Sequence, residues 1–281
     1  AGEDDELPET AADAPAGVYK SGFSVFKDGK EISRGRFSAR VWDFALPAVP
    51  SCATLFGLSK GFIQKNHNAD DEKTKELYKK YYDFLLENKI CADDIPFDLL
   101  DGRADEYLDN GAVKNFRIPY SANDDMIRAY HKKLSSNPLW FGKGLFYPVD
   151  EPSARDRLER YAEAARRLEK LYPGFQIITP LGDSRLFPEG YDNIEFLSSH
   201  QTHWCLRSDM FDLNGTAGYV VDKQADPNGS ITEKFGNVIE RMEKERAGGD
   251  KIWWYVCGHP YLMSYCDLNL HNTGAQSRVL F

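Results

Sequence analysis

The sequence has no excess of positive charge and no long apolar run. Its 35 lysine and arginine residues stand against 44 aspartate and glutamate residues, which gives a net charge of −9. Proteins that bind nucleic acid usually show a basic patch or stripe, so we expect no nucleic-acid partner. No apolar run approaches the roughly 18 residues of a membrane-spanning helix, so we expect no membrane span either.

Cysteine is scarce, and the common phosphate-binding motifs are missing. Five cysteines in 281 residues are an odd set in a large chain, which argues against a disulfide scaffold. No G-x-G-x-x-G stretch opens a helix and no Walker A sequence occurs, which argues against dinucleotide-binding and P-loop proteins. What is present is 42% hydrophobic and 13% aromatic residues, enough to bury a substantial core.

The first fifty residues divide into two segments. Residues 1–16 are acidic and rich in alanine and proline, which predicts a disordered or linker segment. Residues 17–50 contain two β runs on either side of Asp28-Gly29. Asp-Gly between alternating runs is a strong hairpin signal, so we predict a β-hairpin here.

Residues 51–281 alternate between short apolar strands and amphipathic helices. Helices are predicted over 70–90, 123–136, from Ser153 as N-cap to Gly174, and over 231–249. Strands are predicted over 53–59, 115–121, 175–181, 194–200 and 251–257, with one ending before Asp150 and a possible one over 91–97. This alternation predicts a parallel sheet covered by helices. We expect an α/β fold, a (β/α)8 TIM-like barrel truncated before its last strand; a doubly wound open sheet is the alternative.

Polar residues follow the predicted strands, where a barrel would place its active site. They include two adjacent acids, a third acid and three histidines, which a rim that served only stability would not need. We therefore interpret this edge as a candidate site. The residues at the predicted strand ends are Gly57, Ser59, Ser121, Asp150, Glu151, Gly182, Asp183, His200, Thr202, His203, Cys257, Gly258 and His259.

The most informative of these positions is the pair Asp150-Glu151, directly before Pro152. On a regular strand the two side chains point to opposite faces, but a bend at the strand end lets both reach one cavity. Crowded acids split their pKa values, so one can protonate a leaving oxygen while the other stays charged. Adjacent acids fit glycoside hydrolysis in which the substrate supplies an acetamido nucleophile. The alternative is that both acids merely favour the amino end of the following helix.

Several stretches carry a resemblance to a known family, namely "YPVDEPS", "KIWWYVCGHPYL", the closing "AQSRVLF", and "RVWDFALP" leading into "ATLFGLS". Together they resemble glycoside hydrolase family 123 and the related domain of unknown function 4091, over residues 18–281. The resemblance implies that residues 17–50 are the end of a β-sandwich domain and that residues 51–281 form the catalytic barrel. The family's barrel continues beyond the last residue of this sequence, so we expect the barrel to be incomplete.

The resemblance also implies an activity and residue roles. Characterised members are β-N-acetylgalactosaminidases that act on glycan ends with retention of configuration, by substrate-assisted catalysis and without a metal or other cofactor. By motif, Glu151 would be the general acid/base, and Asp150 would orient the 2-acetamido group as it becomes an oxazolinium ion. Trp253, Trp254 and Tyr255 would lie on a strand that faces the site, where one or two of them wall the sugar pocket and the others are core.

The remaining histidines and cysteines leave three interpretations open. His200, His203 and Cys205, together with Cys257 and His259, could line a sugar pocket, serve as satisfied structural side chains, or bind zinc. Their spacing matches no standard structural zinc site, so we expect no metal. Polar lining of a sugar pocket is the preferred interpretation.

Two further residues complete the candidate site. Asp183 is a third candidate acid that could bond sugar hydroxyls, and Trp204 could either stack on a sugar or pack in the core. The substrate-binding residues predicted from all these arguments are Asp183, His200, His203, Trp204, Trp254, Tyr255 and His259.

The leading hypothesis is a glycoside hydrolase that removes terminal β-linked N-acetylhexosamine, by resemblance N-acetylgalactosamine, from a glycan or glycoconjugate. One alternative is a catalytically inactive carbohydrate-binding barrel. Another is a glycosidase of other specificity that uses Glu151 with a distant acid. The choice between galacto and gluco sugars and the oligomeric state stay open. By analogy with glycan-degrading enzymes, we expect an extracellular, periplasmic or lipid-anchored location.

Overall fold

The computed structural model describes residues 14–45, 47, 49–152, 154–181, 193–207 and 238–255. By its internal contacts the chain divides into two compact units, Ala1–Ser51 and Cys52–Phe281. The described part contains an antiparallel hairpin followed by helices that alternate with short parallel strands. Within that part, no helix combines the length and the apolar character needed to cross a bilayer.

The described part of the first unit centres on a hairpin, formed by β1 (Gly17–Lys27) and β2 (Lys30–Val41). Asp28 and Gly29 both have positive φ, 49° and 77°, as the two-residue turn that matches strand twist requires. The hairpin predicted from this dipeptide is therefore confirmed. Every residue of both strands is exposed or half-buried, so neither face of the hairpin forms a core.

The second unit alternates helices with short strands. Its elements in chain order are α1 (Lys60–His67), α2 (Asp71–Glu87), α3 (Ala104–Asp109), β3 (Phe116–Ile118), α4 (Asp124–Leu134), α5 (Pro138–Phe141), β4 (Gly144–Phe146), α6 (Arg155–Leu171), β5 (Ile178–Leu181), α7 (Asn193–Ser198), β6 (His203–Arg207), α8 (Val238–Gly248) and β7 (Lys251–Tyr255).

The strands of this unit follow one another in chain order. β3 pairs with β4, and β5, β6 and β7 pair in sequence, all parallel. Single parallel bridges join Phe56 to Ala92 and Phe146 to Ile177, and the Arg117 N–H donates to the Asp93 carbonyl. Seven strand segments therefore form one hydrogen-bonded series in which each lies beside its predecessor. Among the described residues the series is open, with no closed barrel.

Helix caps and buried faces explain why the long helices form where they do. The Asp70 and Asn123 side chains accept hydrogen bonds from the first turns of α2 and α4, as N-cap residues do. α6 buries a stripe at helical spacing that includes Leu158, Tyr161 and Leu168, and each such side chain contributes roughly 1.5–3 kcal/mol by burial. These buried stripes pack the helices onto the sheet.

Four local predictions are wrong. Residues 194–200 are predicted as a strand, but α7 occupies this stretch, and the strand is β6, which begins at His203. The strands predicted over 53–59 and 91–97 each contribute only a single bridge residue, Phe56 and Ala92. The N-cap of α6 is Ala154, without a side-chain hydrogen bond, instead of the predicted Ser153.

Candidate active site

The turn after β4 carries the two adjacent acids and bends at the second one. Glu151 has φ of 41°, in the left-handed region that residues with a side chain rarely occupy. The next residue, Pro152, is buried, and a proline also restricts the residue before it to extended conformations. The backbone is therefore strained at Glu151. Strain of this kind clusters at functional sites, where the surrounding structure sustains it.

Each acid accepts a hydrogen bond from a tyrosine hydroxyl. Tyr147, one residue past the end of β4, donates to Asp150 Oδ1 at 2.5 Å. Tyr255, the last residue of β7, donates to Glu151 Oε1. Glu151 is half-buried and Asp150 is exposed, so the two carboxylates differ in their access to water. The fourth and seventh strand segments therefore both contribute to the site.

The surroundings of Tyr147 keep its hydroxyl protonated. Burial, followed by the hydrogen bond to Asp150, raises the pKa of Tyr147 well above its ordinary value. The phenol is therefore the donor and the Asp150 carboxylate the acceptor near neutral pH. Burial also raises the pKa of Cys205, on β6, to about 12, so this thiol stays protonated and is a poor nucleophile.

Two side chains from neighbouring elements donate hydrogen bonds to the backbone carbonyl groups of the strained turn. Arg157 Nη1, from the first turn of α6, donates to the carbonyl oxygens of Asp150 at 3.2 Å and of Glu151 at 3.4 Å. Thr179 Oγ1, on β5, donates to the carbonyl oxygen of Val149 at 2.5 Å. The backbone that presents the acids is therefore attached both to the following helix and to the neighbouring strand.

The strand register shows which side chains share the face of Tyr147. In parallel strands, residues in register point to the same side, and residues two apart along a strand do as well. Arg117 on β3 is in register with Leu145 on β4. Ile178 on β5 is in register with His203 on β6, and Arg207 on β6 is in register with Tyr255 on β7. The bridge between Phe146 and Ile177 joins the two sheets. One face at the carboxyl ends of the strands thus carries Arg117, Tyr147, Cys205, Arg207, Trp253 and Tyr255.

The structure places two of the three predicted histidines, His200 and His203, at the other end of the sheet. His203 is the first residue of β6 and His200 lies in the turn before it, so both are at the amino end of the strand. His203 is buried, and its Nδ1 lies 2.9 Å from Thr202 Oγ1. Burial lowers the pKa of His203 to about 4, so the ring is neutral near pH 7. The prediction that these residues end a strand beside the acids is therefore wrong.

The tryptophans are also placed differently from the prediction. Trp204 is fully buried, and its Nε1 donates to Asp250 Oδ2 at 2.8 Å, so it packs in the core. Trp254 alternates with Tyr255 on β7 and lies on the opposite face, with 55% of its surface exposed. Trp253 is the tryptophan that shares the face of Tyr255. Of the aromatic residues predicted to bind substrate, the structure brings only Tyr255 to the acids.

Two predicted site residues, Asp183 and His259, lie outside the described residues, as does Cys257 of the considered zinc set. In the ranges that are described, no group of three or more histidine, cysteine or acidic side chains is arranged to hold a metal ion.

Sequence reasoning missed Tyr147 and Arg207. Tyr147 stands in the quoted stretch "YPVDEPS", and a two-residue alternation from Leu145 would have indicated that it faces the sheet interior. Arg207 was missed because the sixth strand was assigned to 194–200, seven residues before its true end. Placing β6 correctly would have identified Arg207 as its last residue.

The described part of the second unit thus mixes helices with short parallel strands and places two adjacent acids after the fourth strand segment. No protein-family model and no curated protein matches the chain.

Proposed function

We propose that the protein is a glycoside hydrolase that removes a terminal β-linked N-acetylhexosamine, N-acetylgalactosamine by resemblance, with retention of configuration. The second unit would be a (β/α)8 barrel. The strand order supports this fold, because seven segments follow one another without the reversal of order that defines a doubly wound sheet. The alternation of strands and helices along the chain agrees with it.

The observation that carries the proposed activity is the pair of acids, each held by its own tyrosine. In the proposed mechanism the acetamido oxygen of the substrate attacks C1 while the bond from C1 to the leaving oxygen breaks. Glu151 gives its proton to that leaving oxygen. Tyr255 donates a hydrogen bond to Glu151 Oε1, so Oε2 is the oxygen that carries the transferred proton. Water then attacks C1, opens the oxazolinium ring and returns a proton to Glu151.

Asp150 would stabilise the positive charge that develops on the acetamido group. A carboxylate does this best when it is ionised and held in one orientation before the reaction. The hydrogen bond from Tyr147 supports the fixed orientation, because the phenol donates to Oδ1 and holds the carboxylate plane. Oδ2 then remains to accept the N–H of the acetamido group.

The test is hydrolysis of an aryl N-acetyl-β-galactosaminide by the wild type, Glu151→Gln and Asp150→Asn. Acid/base catalysis contributes about 10²–10⁴-fold, so we expect Glu151→Gln to lower kcat by at least about 100-fold. Loss of the charged stabiliser should cost a similar factor in Asp150→Asn. The exposed ion pair of Asp125 with Arg128 on α4 provides a control, Asp125→Asn, which should retain full activity.

Two results would redirect the proposal. Hydrolysis of a plain galactoside as fast as of the acetamido sugar would exclude substrate assistance and favour a glycosidase that pairs Glu151 with a distant acid. Sugar binding without turnover by the wild type would instead favour a carbohydrate-binding barrel.

A further inference from the structure

A second polar group involves Arg117, which shares the sheet face of Tyr147, and the acids that follow the second strand segment. Arg117 contacts Asp94 in a bidentate ion pair, with Nε to Oδ1 at 3.0 Å and Nη2 to Oδ2 at 2.8 Å. Arg117 Nη2 also lies 3.1 Å from Asp93 Oδ2. Both side chains of the bidentate pair keep about a third of their surface exposed, 35% for Arg117 and 36% for Asp94.

The pair has hydrogen-bonding capacity left. A guanidinium carries five N–H donors, and the contacts among the described residues use only Nε and Nη2 of Arg117. A carboxylate offers about four lone-pair positions, of which Arg117 takes two on Asp94. Side by side, the two groups present a donor and an acceptor. This combination suits a sugar hydroxyl, which both donates and accepts.

Asp93 differs from Asp94 because its carboxylate accepts hydrogen bonds from backbone N–H groups. Its Oδ1 accepts the N–H groups of Leu58 at 3.3 Å and of Asp94 at 3.0 Å. Burial raises the pKa of Asp93, and only 14% of its side chain is exposed. Asp93 therefore ties the first and second strand segments together, which leaves Asp94 as the carboxylate that faces outward.

An exposed aromatic residue lies on the neighbouring first strand segment. Phe56 forms the parallel bridge with Ala92, two residues before Asp94 in the chain. Phe56 leaves 46% of its surface exposed despite its place within the strand series. Ligand sites combine aromatic walls with a few polar groups that fix orientation. Phe56, Asp94 and Arg117 have this composition.

The polar pair lies on the strand next to the acids. Neighbouring strands lie about 5 Å apart, and Arg117 on β3 is one strand from the segment that carries Tyr147 and leads to the acids. We propose that Phe56, Asp94 and Arg117 form the subsite that reads the ring hydroxyls of the terminal sugar and discriminates galacto from gluco epimers. The proposal rests on the proposed function, since it assigns the sugar ring to the space between this group and Glu151.

The test measures binding, so that it does not depend on turnover. Isothermal titration with N-acetylgalactosamine and with N-acetylglucosamine compares wild type and Asp94→Asn. Hydrogen bonds to a charged group correspond to about 10- to 100-fold in affinity, so Asp94→Asn should weaken the preferred epimer by this factor. The ratio of the two dissociation constants should fall towards one. Asp125→Asn removes an equivalent acid from an arginine pair on α4 and should change neither constant.

A purely structural ion pair would give a different result, because its loss lowers Tm without changing the epimer ratio of the folded protein. An unchanged ratio in folded Asp94→Asn, or a wild type that binds neither sugar or binds both equally, would overturn the subsite. If Asp94→Asn does not fold, Phe56→Leu replaces it, and we expect both epimers to bind about fivefold more weakly; unchanged binding then overturns the subsite. Sugar binding without hydrolysis would refute the proposed hydrolase and leave the subsite standing.

Discussion

Tyr147 and Tyr255 differ from other tyrosines of the second unit in what their hydroxyls contact. The hydroxyls of Tyr82 and Tyr172 are buried without a hydrogen-bond partner among the described residues. Tyr147 and Tyr255 instead donate to Asp150 and Glu151. Tyr107 and Tyr130 also donate to carboxylates, those of Asp83 and Asp98, which are not part of the candidate site. We therefore assign a role in positioning to Tyr147 and Tyr255 because their acceptors are the two adjacent acids of the candidate site.

Replacement of Tyr147 by phenylalanine tests this assignment. The variant keeps the ring but removes the donor to Asp150, so we expect kcat on the aryl N-acetyl-β-galactosaminide to fall about 10- to 100-fold. KM should change little, because the lost contact orients a group that acts in the transition state. Tyr172→Phe is the matched control and should keep wild-type kcat. Equal kcat values in the two variants would contradict the role of Tyr147.

The left-handed backbone of Glu151 predicts that glycine is more stable than alanine at this position. Glycine adopts positive φ without steric cost, whereas alanine does not. We expect Glu151→Gly to have a higher free energy of unfolding than Glu151→Ala, by about 1 kcal/mol, measured by urea denaturation. Both variants lose the carboxylate and its bond to Tyr255, so the comparison isolates the backbone. A more stable alanine variant would show that the turn is not strained.

Among the helices and strands, the long periodic helices were predictable, whereas the short elements were predicted only in part. α2, α4 and α6 follow from apolar residues at helical spacing, and β5 and β7 from short apolar runs. The failure at 194–200 has a physical cause. The run "IEFLSSH" is short and apolar, and periodicity alone does not separate a buried helix from a strand in such a run. That single error moved two histidines to the wrong end of the sheet.

The residues of the candidate site were also predictable only in part. The acids were identified because Asp150, Glu151 and Pro152 are adjacent in the sequence, whereas their tyrosine partners depend on contacts that the sequence does not contain. Tyr255 meets Glu151 across 104 positions of chain. The pairing of Arg117 with Asp94 similarly joins two strand segments. Contacts of this kind follow from strand order and register, which local patterns leave undetermined.

His203, the first residue of β6, predicts that the stability of the protein depends on pH. The pKa of His203 falls from an ordinary value of 6.5 to about 4 in the folded protein. Between these values the unfolded chain binds a proton that the folded protein does not, so the free energy of unfolding falls as the pH falls from 6.5 to 4. The difference corresponds to about 3 kcal/mol for this one residue. Urea denaturation at a series of pH values should show this loss in the wild type, and a shallower loss in His203→Gln. Parallel curves would contradict a buried, neutral His203.

Across the whole molecule, the two compact units differ in how their strands are covered. β4 is entirely buried, whereas no residue of β1 or β2 is buried. Isolated two-stranded hairpins are marginally stable in water. We therefore expect the hairpin to open far more often than the parallel series.

Hydrogen exchange measures this difference. Amides of β1 and β2 should exchange at least about 100-fold faster than those of β4 and β6, because exchange follows the free energy of local opening. Mass spectrometry of peptic fragments reports both regions in one experiment. Equal protection of the hairpin and the parallel strands would mean that the hairpin acquires a partner in solution, such as a second copy of the chain.

The consecutive order of the seven strand segments bears on how the chain assembles during its synthesis. Each segment finds its neighbour already made when it leaves the ribosome, so the sheet can grow by addition at one edge. Asp150 meets Tyr147 as soon as the fourth segment is in place, but Glu151 receives Tyr255 only when the seventh arrives. A nascent chain therefore builds most of its scaffold before Glu151 gains its tyrosine partner, and the proposed activity would be among the last properties it acquires.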